Sequence, residues 1–250
     1  MIELQNIDVV FAQGTLLENK VLADFNLQVA TGEFVTVIGG NGAGKSTLLN
    51  LIAGDIKPAS GTISIDSEDV TSLCTTSRAK HIAKVFQDPM MGTCSALTIE
   101  ENLSLACMRG KSRSFKLAIT NHIREEFRAK LAQVNMGLEN RMYEQVSLLS
   151  GGQRQVLSLI MATMVPAKLL LLDEHTAALD PKMARTVLEL TKKLVIEQKL
   201  TTLMITHSMS QALAFGDRTI MMYHGKIIRD MQGEDRRVLD PSHLLEFFDL

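Results

Sequence analysis

The pattern of apolar and polar positions divides the chain into short strand-like runs and longer helix-like stretches. Loose alternation over residues 2–11, followed by a mixed run over residues 21–29, predicts two strands near the start. Residues 34–38 and 169–172 form nearly continuous apolar runs, which is typical of strands buried on both faces inside a parallel sheet. Further strands are predicted at 62–65, 82–86 and 201–206, and a hairpin is predicted around Gly225.

Helical spacing is concentrated in the middle of the chain, over residues 98–134 and 151–164. Thr98 followed by Glu101 fits a capping box at the first of these helices. Residues 182–198, 208–214 and 242–248 are also predicted to be helical. Because the middle stretch lies between sheet-type regions, we expect an inserted helical lobe over about 91–164. Residues 1–90 and 165–250 would then form the core lobe of a single domain spanning 1–250.

A glycine-rich turn after the strand at 34–38 carries the first candidate chemistry. Its residues are Gly39, Gly40, Asn41, Gly42, Ala43, Gly44, Lys45, Ser46 and Thr47. With a strand before it and helix-like residues 48–53 after it, the turn matches the phosphate-binding P-loop, G-x-x-x-x-G-K-[ST]. Glycines allow backbone N–H groups to approach a phosphate, and the helix start adds the positive end of its dipole. Lys45 can reach the β- and γ-phosphates, and the Ser46 hydroxyl can ligate Mg²⁺. The alternative is a strand–helix turn that binds nothing.

Composition and charge narrow the class of protein. The 250 residues are 46% apolar and 22% charged, an ordinary globular balance, and the formal net charge is -2. That charge argues against nucleic acid as the main partner. The three cysteines form no C-x-x-C pair, so a reducing compartment is expected. We expect no signal peptide and no transmembrane segment, because the most apolar stretch, 156–165, is shorter than the roughly 20 residues a span requires.

Two acids follow the apolar run at 169–172. Asp173 would reach the Mg²⁺ edge of the phosphate site, where a carboxylate can hold the metal directly or through water. Glu174, one residue further, would orient or deprotonate the attacking water. The alternative is a buried strand that ends in two solvated acids. A P-loop alone fits kinases, GTPases, helicases and transport ATPases, and the features downstream of it decide among these classes.

The segment Leu149, Ser150, Gly151, Gly152 and Gln153 distinguishes among these classes. It resembles the signature sequence of ABC-type ATPases, and residues 2–225 as a whole resemble the nucleotide-binding subunit of a bacterial ABC transporter. The resemblance implies an α/β fold: a P-loop NTPase core with a mostly parallel sheet, an N-terminal antiparallel β subdomain and an inserted α-helical subdomain. A serine and glycines that open a helix form a second anion site.

In the family, two subunits pair head to tail, and each signature closes over the nucleotide held by the other's P-loop. The resemblance therefore implies a homodimer around two ATP molecules with Mg²⁺, in which Ser150, Gly151, Gly152 and Gln153 bind ATP in trans. Asp180 resembles the D-loop aspartate that acts across the dimer, and His207 the switch histidine that contacts the γ-phosphate. Gln87 resembles the Q-loop glutamine that contacts Mg²⁺ or water and faces the membrane partner.

Two positions match the family pattern less closely. Phe11 is the candidate for the aromatic side chain that stacks on adenine, and a place in the core is its alternative. His175 stands where the family usually has proline after the catalytic glutamate, which we interpret as a substitution at a turn.

The function expected from the resemblance is that of an ATPase subunit on the cytoplasmic side of the membrane, driving a membrane permease. A bacterial subgroup with similar motifs works with an extracellular or periplasmic solute-binding protein, which favours import of small solutes, possibly amino acids. The main alternative is a soluble ABC ATPase of the cluster-assembly type that does not transport. An unrelated P-loop kinase or GTPase is disfavoured by the signature.

Overall fold

The computed structural model describes residues 1–111 and 119–237. The helix predicted at 242–248 lies outside these residues. The strands are β1 (Ile2–Phe11), β2 (Asn19–Val29), β3 (Phe34–Gly39), β4 (Ser60–Ile65), β5 (Glu68–Asp69), β6 (Ile82–Val85), β7 (Leu169–Asp173), β8 (Thr201–Ile205), β9 (Arg218–Tyr223) and β10 (Lys226–Gln232). The helices are α1 (Lys45–Ala53), α2 (Thr75–Arg78), α3 (Ile99–Cys107), α4 (Asn121–Ala132), α5 (Gly151–Thr163), α6 (Pro181–Gln198), α7 (Met209–Ala214) and α8 (Gly233–Arg237).

The strands form two sheets. The first is antiparallel, in the order β2-β1-β4-β5. The second has the order β10-β9-β3-β8-β7-β6 and is parallel except for the edge strand β10. This confirms the expected mixed α/β architecture. Because β3, β7 and β8 are parallel neighbours, the segments that follow them emerge at the same edge of the sheet.

The apolar run of β7 is explained by helices or strands packed on both of its faces. Leu169 and Leu171 face the layer between the two sheets, where α1 also packs. Leu170 and Leu172 face the opposite layer, against side chains of α5 and α6. All four leucines are fully buried. A strand covered on both sides has no polar face, which is why its sequence shows no alternation.

A third apolar cluster holds the helical segment together. It joins α3, α4 and α5 through side chains such as Leu103, Phe127 and Val156, and Val187 of α6 also belongs to it. The helix starts follow local chemistry, since Thr98 and Glu101 form the predicted capping box. None of the helices within 1–111 and 119–237 combines the length and apolarity that crossing a membrane requires.

Most of the predicted strands and α-helices are present, and three short ones within the described residues were not predicted. The strand β5 is a two-residue exposed segment, α2 is a single turn, and α8 is five residues long. Elements of this length are too short to show a hydrophobic period. The strand β5 is instead placed by pairing with its neighbour β4, and α2 is placed by the hydrogen bonds of Arg78 to carbonyls of α1.

Candidate functional site

The glycine-rich turn forms a loop between β3 and α1, as predicted. Gly42 and Gly44 have positive φ angles of 80° and 95°. Gly44 is the N-cap of α1, so no side chain caps the first-turn N–H groups of that helix. These N–H groups, together with the exposed Ser46, lie where the helix dipole is positive. The loop can therefore bind an anion such as a phosphate.

The side chain of Lys45 is buried within the loop and bonds to its first residues. It is 5% exposed, and its ammonium group donates hydrogen bonds to the carbonyls of Gly39 and Gly40 at 2.9 and 3.0 Å. Burial lowers the pKa of Lys45, while the charges of Glu174 and Asp173 act in the opposite direction. The three charged groups are thus close enough to interact, although more than 120 positions separate the lysine from the acids in the sequence.

The two predicted acids leave β7 with different surroundings. Glu174 has a φ of 44°, and its N–H donates to the carbonyl of Ile205 in the neighbouring strand at 3.1 Å. Its carboxylate lies 2.6 Å from Nε2 of His207, which follows that neighbouring strand. The left-handed turn at Glu174 ends the strand and directs its side chain towards His207. The structure therefore brings together two residues that we expected to be catalytic.

Asp173 has the properties of a cation ligand. Its Oδ1 is buried and makes no hydrogen bond within the described parts of the chain. Burial raises the pKa of Asp173, and nearby Lys84 partly counteracts this. A buried carboxylate oxygen without a partner is costly unless a cation or donor reaches it. Carboxylate, hydroxyl and phosphate oxygens are the ligands that Mg²⁺ prefers, so Asp173 and the exposed Ser46 are of the chemical type that could hold this ion.

The signature segment opens α5 as predicted. Ser150 is the N-cap, and its hydroxyl accepts a hydrogen bond from the N–H of Gln153 at 3.3 Å. The amide oxygen of Gln153 accepts from the N–H of Ser150 at 3.2 Å and from Arg141 at 3.3 Å. Among the described residues, no hydrogen bond or ion pair joins this segment to the P-loop. One copy of the chain thus holds two separate candidate anion sites.

The two glycines of the signature differ in their surroundings. A Cβ on Gly152 would lie 2.4 Å from Cγ of Met183, so this glycine allows α5 to approach α6 closely. A Cβ on Gly151 would meet nothing within 4 Å. Packing therefore gives a reason for glycine at position 152 but none at position 151. An open face at Gly151 is suited to contact with something outside this chain.

The remaining predicted residues lie around this arrangement. Gln87 is exposed two positions beyond β6, next to the end of β7. Asp180 is the N-cap of α6, where its carboxylate accepts hydrogen bonds from the N–H groups of Lys182 and Met183. Phe11 is 42% exposed at the end of β1, which rules out the core alternative.

Sequence reasoning missed one residue that connects these segments. Gln155, in α5, is 1% exposed and donates a hydrogen bond from Nε2 to the carbonyl of Phe86 at 3.2 Å. It ties the signature helix to the segment that carries Gln87. The signal available in the sequence was an amide directly before the apolar run of α5. An amide among apolar residues indicates a buried polar contact.

Comparison with known proteins decides the family. A family model described as ABC transporter matches residues 22–177, more than half of the chain. The chain belongs to the ABC transporter family. The tyrosine transport ATP-binding protein of Clostridioides difficile (strain R20291) is 42% identical over 249 residues, which is 100% of this chain and 99% of that protein. The thiamine import ATP-binding protein ThiQ of Escherichia coli (strain K12) is 37% identical over 213 residues, covering 85% of this chain and 87% of ThiQ.

Solved structures agree with this assignment. The ATP-binding cassette MJ0796, in a dimeric post-hydrolysis state bound to ADP and Pi, superposes with a TM-score of 0.80 at 30% identity. The match covers 93% of this chain and 98% of that cassette. The protein is therefore the ATP-binding subunit of an ABC transporter, an ATPase that works with membrane permease components. The resemblance inferred from the signature is confirmed.

Proposed function

We propose that two copies of this chain close head to tail around two MgATP molecules and that hydrolysis releases them. The convergence of Lys45, Asp173, Glu174 and His207 at one sheet edge carries the proposal, because these groups can bind and hydrolyse a triphosphate. The separation of this edge from Ser150 supports a site completed by a second copy. The dimeric state of the MJ0796 cassette, a relative of matching fold, supports the same arrangement.

In this mechanism the chain mainly positions groups and neutralises charge. Residues 39–47 hold the β- and γ-phosphates, and Lys45 exchanges its carbonyl partners for phosphate oxygens. Glu174 accepts the proton of the attacking water, and His207 holds the carboxylate in place from 2.6 Å. Ser150, Gly151, Gly152 and Gln153 of the other copy contact the γ-phosphate, and Asp180 acts across the dimer. Phe11 stacks on adenine.

Mg²⁺ is the cofactor that fits the residues present. Asp173 and Ser46 would hold it, with Gln87 as a further ligand, and bound Mg²⁺ would neutralise charge on the β- and γ-phosphates. The partnerless Oδ1 of Asp173 supports this assignment.

We propose that the permease docks in a groove between the sheet and the helical lobe (about 91–164). The groove has a volume of about 320 Å³, and its lining includes Phe86 and Met91 beside Gln87. Met91 is 70% exposed, and Leu105 and Met108, which are next in sequence to the lining residues Ala106 and Arg109, are exposed apolar residues as well. An apolar, methionine-rich surface of this kind suits an inserted partner helix. Through it, the chain would sit at the cytoplasmic face of the membrane.

The transported solute is proposed to be small and taken up by the cell, with an amino acid favoured. The support is the relative named for tyrosine transport, which matches the whole chain at higher identity than the ThiQ proteins do. An extracellular or periplasmic solute-binding protein would complete the system. Relatives named for transport and import favour this function over the cluster-assembly alternative.

The experiment that tests the ATP-sandwich mechanism uses Glu174→Gln. Removing the base without changing its shape should leave ATP binding intact, lower ATP turnover by about 100-fold or more, and trap a dimer in MgATP. Turnover is measured by phosphate release and dimer formation by size-exclusion chromatography with light scattering. The matched control is Glu189→Gln, an exposed position on α6 that should behave as the unaltered protein.

Wild-type turnover in Glu174→Gln would refute the role of Glu174. A variant that binds ATP, does not turn it over and stays monomeric at high protein concentration would refute the sandwich mechanism instead.

A further inference from the structure

Among the residues that the structure describes, several large apolar side chains are exposed. One group, with Met91, Leu105 and Met108, is assigned above to the permease groove. The most exposed side chains of this kind lie elsewhere, at Leu16 and Leu17, which are 105% and 81% exposed. Leu148, 66% exposed, stands two positions before the signature serine. Leu16 and Leu17 are neighbours in the chain, and a pair of exposed leucines is a candidate surface for contact with a partner.

Hydrogen bonds within the loop that carries Leu16 and Leu17 fix its backbone and leave the two side chains in solvent. It joins β1 to β2 and is closed at its base by the pair of Phe11 and Asn19. The Thr15 N–H and hydroxyl both donate to the carbonyl of Ala12, at 3.1 and 2.7 Å, and the N–H of Leu17 donates to the Thr15 hydroxyl at 3.2 Å. These turns satisfy the local backbone and leave the leucine side chains in solvent. We call this segment, residues 12–18, the leucine loop.

The strand that follows the leucine loop, β2, contacts the P-loop. Leu22, just after the start of β2, lies so close to Gly44 that a Cβ there would be 3.1 Å from its Cδ2. The carbonyl of Val21 is likewise 3.5 Å from that position. The leucine loop therefore leads directly into a strand segment that touches the P-loop, with Asn19 and Lys20 between them.

Leu148 is held in an equivalent way beside the signature. It lies in a 3₁₀ turn, Val146–Leu148, whose carbonyls at Val146 and Ser147 accept hydrogen bonds from Arg154. The next residue, Leu149, is 6% exposed and belongs to the helical core cluster. The turn thus buries one leucine and presents the other, immediately before Ser150.

We propose that the leucine loop of one copy packs against Leu148 of a second copy when the two close around ATP. This inference rests on the proposed head-to-tail dimer, in which each P-loop faces the partner's signature. The segments that flank those two motifs are then brought opposite each other, twice in a symmetric pair. Both segments expose leucine side chains in the single chain, and each is fixed by its own hydrogen bonds.

This contact would give the dimer affinity that does not depend on the phosphate groups. Three leucines removed from water at each of two equivalent contacts strengthen association by the hydrophobic effect. Because each segment is already ordered, little conformational entropy is lost on contact. Nucleotide would position the copies, and the leucines would slow their separation.

The test is a cross-link between different copies. In a Glu174→Gln background with the three cysteines replaced by serine, one preparation carries Leu17→Cys and another carries Leu148→Cys. Mixed with MgATP and a short bis-maleimide, they should give a covalent dimer that is absent without ATP. The control mixture replaces Leu148→Cys by Ile196→Cys, which is equally exposed at 64% but lies on α6. It should give no ATP-dependent product.

Affinity provides the second measurement. Leu16→Ser combined with Leu17→Ser should raise the concentration needed for the ATP-trapped dimer at least tenfold, and Leu148→Ser should do so as well. A variant that carries all three substitutions should lose less dimer affinity than the two separate losses added together, because both sets of substitutions remove the same contact. An ATP-trapped dimer with no cross-link and unchanged affinity would overturn this inference while the sandwich mechanism stands. If Glu174→Gln forms no dimer at all, both are overturned.

Discussion

At the scale of single residues, His175 shows how a departure from the family pattern is accommodated. The position follows Glu174 in a turn, as expected, but the side chain is 2% exposed. Its Nε2 lies 3.1 Å from the hydroxyl of Thr191, and that hydroxyl donates its proton to the carbonyl of Val187 at 2.8 Å. Nε2 must therefore carry the proton and act as the donor. The turn after β7 is thus tied to the middle of α6.

His175 predicts a dependence of stability on pH. Burial lowers its pKa to about 4, from the ordinary 6.5. The unfolded chain binds the proton below pH 6.5 and the native protein does not, so this stability is present above pH 6.5 and is lost as pH falls towards 4. The loss is about 3 kcal/mol in the free energy of unfolding. Glutamine keeps a hydrogen-bond donor but does not titrate. His175→Gln should therefore lose about 3 kcal/mol less stability than the unaltered protein between pH 7 and 4, as measured by urea unfolding.

The control for this prediction is His122→Gln, since the His122 side chain is 80% exposed. It should leave the pH dependence unchanged. If His175→Gln and the unaltered protein lose the same stability between pH 7 and 4, another buried group is responsible.

At the scale of elements, the helix behind the P-loop is held at both ends. Its first turn adjoins Gly44, and its last turn is capped by Arg78, which is fully buried. The guanidinium donates to the carbonyls of Leu51 and Ile52 at 2.8 Å, and further bonds reach Leu73 and Thr71. A cation at a helix C-terminus is favourable because the dipole is negative there.

Removing this cap should destabilise the protein. Arg78→Met leaves several buried carbonyl groups without a donor, and we expect a loss of roughly 3 kcal/mol in the free energy of unfolding. Arg128→Met is the matched control, because Arg128 forms an exposed ion pair with Glu125, and its loss should cost less than about 1 kcal/mol. Equal denaturation midpoints for the two variants would exclude the capping role.

The hairpin of β9 and β10 supports the P-loop from another side. The N–H of Gly225 donates to the carbonyl of Ala43 at 3.0 Å, and its φ is 74°. A Cβ at this position would lie 1.9 Å from the carbonyl oxygen of Val21. The hairpin turn therefore contacts both the P-loop and the start of β2, and only glycine fits.

Gly225→Ala should lower both stability and nucleotide affinity. The left-handed backbone alone costs about 1–2 kcal/mol with a side chain, and the clash adds to it. Gly14→Ala has a similar φ of 76° but open space around its Cβ, so it isolates the backbone term. Thermal unfolding should give Gly225→Ala a lower unfolding temperature than Gly14→Ala, and ATP titration should give it a weaker affinity for ATP. Equal effects in the two variants would mean that the hairpin does not hold the P-loop.

At the scale of the whole molecule, nucleotide binding should couple to folding. ATP with Mg²⁺ at about 100 times its dissociation constant would stabilise the protein by roughly 2.7 kcal/mol. For a chain of this length that corresponds to a rise of about 5–10 °C in the unfolding temperature. Asp173→Asn should abolish the part of the rise that requires Mg²⁺ and retain the part seen with ATP and EDTA. A full Mg²⁺-dependent rise in this variant would remove Asp173 from the metal site.

The sequence by itself determined the family and the mixed α/β fold class, because the decisive patterns are contiguous. The P-loop, the strand ending in Asp173 and Glu174, and the segment from Ser150 to Gln153 each fit within a few residues of chain. A local motif needs only its own neighbours to be recognised, and parallel strands place successive motifs at one edge.

Only the tertiary structure decided which distant residues meet. The pairing of Glu174 with His207, the bond from Gln155 to Phe86 and the cap made by Arg78 join segments that are far apart along the chain. No local pattern reports such contacts, since each depends on how two elements pack. The same holds for His175, whose sequence suggested a simple turn and whose burial against α6 makes it part of the core.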